Sequence, residues 1–525
     1  MHKVIFDTSL RPTRRSILMG AAAAAGAGMM LPGGAFAQEA TPQRGGTLRV
    51  SMPYNPASLD PITGRNLPDF NTLYALYDAL IGFDDETLEL QPMLAKSWDW
   101  ADPSTLVLDL QDGVMFHDDT PFNAEAVVFN LRRGLDYARS NVKSDLAGVQ
   151  EIEATGPLQV TIRLEAPNAA LPAILSNRAG CMVSPASVQA AEDGNIDRAP
   201  VGAGPFRFIE WRDNDLIRLE RNESYWQGPE LPYLDGLELR IINELNTAAR
   251  TVTSGQADVA LQLAAQQIMV ARRSDNIIAT ATTSMTYYTA FFNYARGPLA
   301  DLKVRQAMNY ALNRADLQQV LLMGLGEATC SVFPREFWAS GPDAADYYPY
   351  DPERARALLA EAGYPDGVEI ATLSWPDQAA MQRTEIIGNQ LAQVGIRLNV
   401  TPVQPAQAIQ VFMIDQQGDM LLSPTGGNPD PSLAFDRQFS ATALRNAGKI
   451  ELDGYRELLE ATMSTYDFDE RQQKLFELEM FVVENALHLP QYMSAGMSIQ
   501  TPQVKDFTFG ILAAPRFHTV WLDQA

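Results

Sequence analysis

One stretch, residues 351–400, reads as helix, strand, helix and strand in unbroken succession, and that order restricts the fold more than any other feature of the chain. Asp351-Pro352-Glu353 is a helix start, with a capping carboxylate followed by proline at the first helical position. Leu358 and Leu359 supply the apolar face, and Gly363 supplies the stop. Residues 368–373 read as a strand, residues from about 377 to 394 as a helix ended by Gly395, and residues 396–400 as a second strand. Two strands flanking one helix call for a right-handed crossover and a parallel pair, so an α/β domain is expected. Elsewhere, residues 158–164 (LQVTIRL) alternate apolar and polar side chains like a half-buried strand, and residues 105–110 do so less strictly. Asn123 can cap a helix whose face carries Val127, Val128, Leu131 and Leu135, and Asp301 can cap one running through Val304, Met308 and Leu312. The sequence has no internal repeat, low-complexity tract or Ser/Gly linker, so its domains are expected to be interwoven.

The N-terminus supplies an address. Thr13-Arg14-Arg15-Ser16-Ile17-Leu18 precedes an Ala/Gly-rich apolar stretch, and Ala35-Phe36-Ala37 precedes Gln38. A charged region, a short apolar region and an A-x-A site make a cleavable signal peptide, residues 1–37, too short and glycine-rich to span a bilayer. The paired arginines resemble the twin-arginine (Tat) signal, with an ordinary Sec signal as the alternative. A periplasmic protein, cleaved after Ala37, is the expectation. Removing the segment, which holds Lys3, Arg11, Arg14 and Arg15 against Asp7, takes the net charge from −24 to −27. So acidic a body repels nucleic acid and anionic lipid, which excludes both as general partners and fits a freely diffusing protein, expected to be monomeric. The 488 remaining residues are enough for about three domains. Cys181 and Cys330 are the only cysteines, too few for a disulfide framework or an iron–sulfur site, and are read as small buried hydrophobes. No G-x-S-x-G or H-E-x-x-H motif occurs, so no catalytic residues, metal or cofactor are expected.

Several short blocks together resemble one family. They are GGTLRV at 45–50, SLDP at 58–61, LYDAL at 76–80, LAKSW at 94–98 and LQDGVMFHDDTPFNAE at 110–125. In the same order follow GAGPF at 202–206, RNESYW at 221–226, VRQAMNYA at 304–311 and NPDP at 428–431. The chain is similar to the bacterial extracellular solute-binding proteins of family 5, which include oligopeptide, dipeptide and nickel receptors. Asp119 stands where the family's run has glycine. The resemblance implies a two-lobed periplasmic binding protein of type II, with two hinge crossings and a subdomain inserted in lobe one. Lobe one would comprise residues 38–54, 201–294 and 497–525, the insertion residues 55–200, and lobe two residues 295–496. The implied role is that of an ABC importer's receptor, passing a peptide or peptide-like solute to permease subunits with cytoplasmic ATPases. Receptors for an opine, glycoconjugate or metal chelate are the alternative, with a periplasmic enzyme behind them.

His117 with Asp118 and Asp119 lacks the ligand set of a metal site and reads as a turn leading into the Asn123-capped helix. Pro205 has no amide proton, so residues 202–205 are no phosphate cradle. By resemblance the ligand contacts fall on Tyr54, Asn55, Arg65, Asn66, Asn293, Tyr294, Trp375, Gly427, Asn428 and Asp430. Two charged positions of the peptide receptors are missing. The aspartate that binds a ligand's α-amino group aligns near Gly427, and the arginine that takes a dipeptide carboxylate aligns near Ser374. This points toward a blocked or γ-linked peptide, an opine or another polar conjugate, with Arg65, Arg383 or Arg437 as the replacement charge.

Overall fold

A computed structural model describes residues 41–64 and 67–524; the segment 1–37, expected from the sequence to be a signal peptide, lies outside them. Strand β1 (Thr47–Met52) opens the body. The chain then builds a separate antiparallel sheet from β2 (Ala95–Asp102), β3 (Thr105–Leu110), β4 (Val149–Gly156) and β5 (Gln159–Leu164), in the order β2-β3-β5-β4. Helix α1 (Ala124–Asp136) covers it, capped by Asn123, whose side chain accepts from the Ala126 amide. Alternation in β3 buries Leu106, Leu108 and Leu110 against Val127 and Leu131, so the insertion has its own core.

The chain returns as β6 (Phe206–Arg212), β7 (Leu216–Arg221), β8 (Gly236–Ile241), β9 (Val259–Ala260) and the long β10 (Ile278–Phe292). Lobe two follows: α2 (Leu302–Ala311), α3 (Pro352–Glu361), β11 (Val368–Ser374), α4 (Gln378–Ala392), β12 (Ile396–Pro402), β13 (Met420–Thr425), α5 (Pro431–Phe439) and α6 (Phe468–Glu484). β14 (His488–Gln500) leads back. Ten of these strands form one sheet in the order β12-β11-β13-β10-β14-β9-β1-β8-β7-β6, and the two-residue strand Glu327–Ala328 pairs with β14 as an eleventh. The helix–strand–helix–strand segment forms as its caps dictate. Asp351 accepts from the Arg354 amide, Asp377 accepts from the Ala380 amide, and Gly363 and Gly395 take φ of 88° and 94°. β11 and β12 pair in parallel across α4, the crossover that the sequence order required.

Several of the blocks that carried the family resemblance meet at the joint between lobe one and the insertion. The Asp78 carboxylate accepts from Trp226 Nε1 (2.6 Å) and the Tyr225 hydroxyl (3.3 Å). The Tyr77 hydroxyl donates to Leu59 O. The buried Asp60 is held by both terminal nitrogens of Arg133 on α1. His117 Nε2 donates to Gly204 O (2.9 Å) while its Nδ1 accepts from the Gly202 amide, and burial lowers the imidazole to about 4. A Cβ on Gly202 would overlap the Leu76 carbonyl, so this close approach requires glycine. Asp119 sits at φ 61°, the left-handed region that glycine enters freely. Cys181 and Cys330 are both buried and unpaired. No helix among the described residues is long and apolar enough to cross a membrane.

Candidate ligand-binding cleft

β10 and β14 are the two crossings between lobes, and they run antiparallel side by side. Their register slips between Thr283 and Tyr287. Before the slip, residues 278–283 pair with 495–500, and Val259 of β9 joins Gln500. After it, residues 287–291 pair with 488–493, with a second shift between Tyr288 and Thr289, and β13 joins the other edge of β10. Each crossing strand therefore belongs to the sheets of both lobes. β13 ends at Thr425, opposite Tyr287, and β9 runs toward the same slip from the other side. The carboxyl ends of parallel strands from both lobes thus converge on one place, where open α/β sheets put their ligands.

Side-chain alternation assigns the two faces at the slip. Tyr287 turns toward α5 and bonds Gln438, whereas Tyr288 turns toward α4. On the α4 face the Tyr288 and Tyr492 rings lie 5.0 Å apart, and the Arg383 guanidinium lies 4.5 Å from the Tyr288 centroid. Burial raises the Tyr288 phenol, with Arg383 opposing and Tyr54 and Asp377 reinforcing the shift. Arg383 is 4% exposed, and its Nε and Nη2 have no hydrogen-bond partner among the described residues.

The residues expected to touch ligand separate into three groups. Tyr54 (58% exposed) and the half-buried Trp375, just past the end of β11, face solvent beside the slip. Gly427 is there too, with its Cα so close to Met285 that a Cβ would overlap Met285 Cβ; no aspartate fits that backbone. Asn55, Asn293, Tyr294, Asn428 and Asp430 make hydrogen bonds within the protein. Asn55 Oδ1 accepts from Trp211 Nε1 and the Asn214 amide. Asn293 takes the Asp419 carbonyl at the end of β10 remote from the slip and caps the turn at Ala295, and the buried Tyr294 donates to Ile450 O. Asp430 caps α5 through the Ser432 amide and pairs with Arg471 at 2.8 Å, which leaves its carboxylate committed. Asn428 accepts from Arg437. Arg65 and Asn66 lie outside the described residues. Of the three candidate cations, Arg437 is paired with Asp145 of the insertion, and Arg383 retains free donors. Sequence reading passed over Tyr288 and Tyr492; the aromatic, β-branched run at 286–292 was the available signal.

The lobes also touch directly. Besides Arg437–Asp145, the Ala169 amide donates to Met463 O at 2.7 Å, the Trp100 and Tyr466 rings lie 4.9 Å apart, and Leu433 of α5 joins the core of the insertion. A small cavity bounded by Tyr74, Asp78, Met93, Tyr225, Arg516 and His518 belongs to the joint inside lobe one, remote from the slip. Burial raises Asp78 there to about 6, against the Trp226 and Tyr225 donors. Among the described residues, no group of three or more His, Cys, Asp or Glu is placed to hold a metal ion.

Residues 89–446 match the profile of the bacterial extracellular solute-binding proteins, family 5 Middle. The chain belongs to that family. It is 33% identical over 363 residues to the glutathione-binding protein GsiB of Escherichia coli (strain K12), covering 68% of this chain and 70% of that protein. Among solved structures it resembles the periplasmic binding protein DppA of Helicobacter pylori in complex with peptide STSA, with a TM-score of 0.80 at 23% identity over 92% of this chain and 99% of that one. The dipeptide binding protein of Pseudoalteromonas sp. SM9913 in complex with Met-Leu gives 0.78 at 24% identity, over 91% and 100%. The family 5 fold is thus two-lobed and α/β throughout, and its members and neighbours are binding proteins.

Proposed function

We propose that this protein is the substrate-binding component of an ABC importer, capturing a peptide or peptide-like solute between its lobes and delivering it to a membrane permease. The observation that carries this reading is the convergence of strand ends from both lobes on one slipped pair of crossing strands, beside the packed rings of Tyr288 and Tyr492. A solute seated there touches both lobes at once, so its binding free energy shifts the equilibrium toward the closed form. Aromatic walls supply apolar area, and strand ends supply backbone donors and acceptors for a peptide-like guest. No bond is made or broken. The names of the curated relatives, which bind glutathione, and of solved neighbours holding peptides support the ligand class.

The same reading places the mature protein in the periplasm as a monomer, exported through residues 1–37 by the twin-arginine route. Lobe one then comprises residues 38–54, 201 up to the slip at 284–286, and the chain beyond Ser494, with residues 55–200 as its insertion. The register slip and the Ser284 Oγ bond to Ser494 O support crossings in mid-strand, earlier than a boundary at residue 294. A non-peptide solute such as an opine is the second reading, favoured by the close packing at Gly427, which leaves no acid for a free α-amino group. The test is thermal shift and small-angle scattering of the mature protein against dipeptides, tripeptides, glutathione and opines. Stabilisation together with contraction by one class is expected. Saturable binding without contraction, or turnover of the bound compound, overturns the proposal.

A further inference from the structure

We infer that Trp100, Asp145 and Ala169 of the insertion form a clasp with Arg437, Met463 and Tyr466 of lobe two, and that this second closing contact sets how long a solute is retained. The inference rests on the receptor reading above and adds the insertion to its closing surfaces. The contact has four independent parts. Tyr466 is 36% exposed, yet its ring stands edge-on to Trp100 at 4.9 Å and its hydroxyl donates to Pro103 O at 2.5 Å. The Ala169 amide donates to Met463 O at 2.7 Å. Leu433 of α5 joins the core of the insertion, and Met463 packs against both that core and the main one. Arg437 of α5 pairs with Asp145. Apolar burial, a ring pair, hydrogen bonds and a rim ion pair are the components of a specific interface.

The insertion is fastened to lobe one and to the crossing strands. Asp78 accepts from Trp226, and His117 bonds Gly202 and Gly204. From the C-terminal side, Ile511 O accepts from the Met285 amide in the gap of the slip, while the Ile511 amide donates to Asp85 O, each at 2.8 Å. Arg516 reaches Asp85 at 3.2 Å, with its guanidinium 4.3 Å from the Phe83 ring centroid. Lobe two therefore cannot swing at the slip without parting from the insertion. Every clasp contact belongs to the closed form and adds to its free energy. Arg437 also connects the clasp to the cleft. Its second terminal nitrogen donates to Asn428 Oδ1 at 2.5 Å, directly after the exposed Gly426-Gly427 pair at the end of β13. Solute contacts at that pair and the grip on Asp145 thus act through one side chain.

The test compares the mature protein with Tyr466→Ala, Tyr466→Phe and Asp145→Arg, the last of which sets two cations against each other. In small-angle scattering without ligand, Tyr466→Ala and Asp145→Arg are expected to show a larger radius of gyration than the parent. Amide exchange at Ala169 should quicken in both, while exchange at His117, bonded to Gly202 O in the joint, stays unchanged. Release of glutathione or trialanine, whichever the parent binds, should be up to about tenfold faster in Tyr466→Ala at an unchanged association rate. Tyr466→Phe keeps the ring against Trp100 and should fall between the two. Quickened exchange at His117 as well would make Tyr466 a structural support and overturn the inference. Equal radii together with equal release rates overturn the clasp and leave the receptor reading standing. If neither compound binds, equal radii alone overturn it. A parent that no solute of the wider panel contracts overturns the receptor reading, whatever the variants do.

Discussion

The carboxyl of Glu479 on α6 is fully buried, accepting hydrogen bonds from the Ser331 hydroxyl and the Gly341 amide. Burial raises it from 4.5 to about 7, against the pull of those donors. In the window between these values the native protein keeps a proton that the unfolded chain has released. The unfolded state then binds fewer protons, so stability falls as pH rises. The contribution is fully present below 4.5 and gone above 7. At about 1.4 kcal/mol per unit, it amounts to about 3 kcal/mol across the window. Glu479→Gln resembles the protonated acid: its carbonyl accepts from Gly341 and its amide donates to the Ser331 oxygen. The variant is expected to match the parent near pH 4.5 and to exceed it by up to about 3 kcal/mol at pH 8. Urea unfolding at half-unit steps from pH 4.5 to 8 measures this as a difference between the two proteins. The difference also cancels the other titrations. Asp78, raised to about 6, acts in the same direction, while His117 and His518, lowered to about 4, and His488, lowered to about 3, act in the opposite one. Parallel profiles for parent and variant would show that Glu479 stays ionised in the native state and refute the reasoning.

Asp60→Ala strands the Arg133 guanidinium in the joint and should cost about 3–5 kcal/mol in denaturant unfolding; a loss below about 1 kcal/mol would contradict a buried pair. Gly427→Ala drives a methyl into Met285 Cβ and should destabilise by about 1–3 kcal/mol in denaturant unfolding, with Met285→Ala, which keeps that Cβ, giving no rescue in the double variant. Asp145→Asn removes the Arg437 contact between the insertion and lobe two. Those side chains are 23% and 39% exposed, so the pair is worth about 0.2–1 kcal/mol. Amide exchange at Ala169, which bonds Met463 across the same interface, should accelerate by up to about fivefold at low salt and converge with the parent at high salt.

Sequence reading succeeded where the determinants are local. The caps at Asn123, Asp301, Asp351 and Asp377 and the stops at Gly363 and Gly395 each depend on neighbours within a few residues, and each forms as expected. The family blocks were equally legible, but most of them describe the joint: Asp60, Tyr77, Asp78, His117, Asn222 and Trp226 bond one another's elements there. The cleft is different because its partners are remote in sequence. Tyr288 meets Tyr492 across some two hundred residues, and the register slip that fixes their face has no local marker. Arg383 and Arg437 look alike in a sequence, and only burial and pairing separate them. Asn293 and Asp430 show that a residue adjoining a crossing or a motif also has its own backbone to satisfy.

The crossing strands are bonded to each other as well as to both half-sheets, and this restricts how the molecule can open. Two separate linkers would let the halves tumble, slide or draw apart. A doubled ribbon resists stretching and sideways slippage and yields mainly in torsion where its register breaks, between Thr283 and Tyr287 and again between Tyr288 and Thr289. Any bending of one half against the other is thereby concentrated in this short stretch.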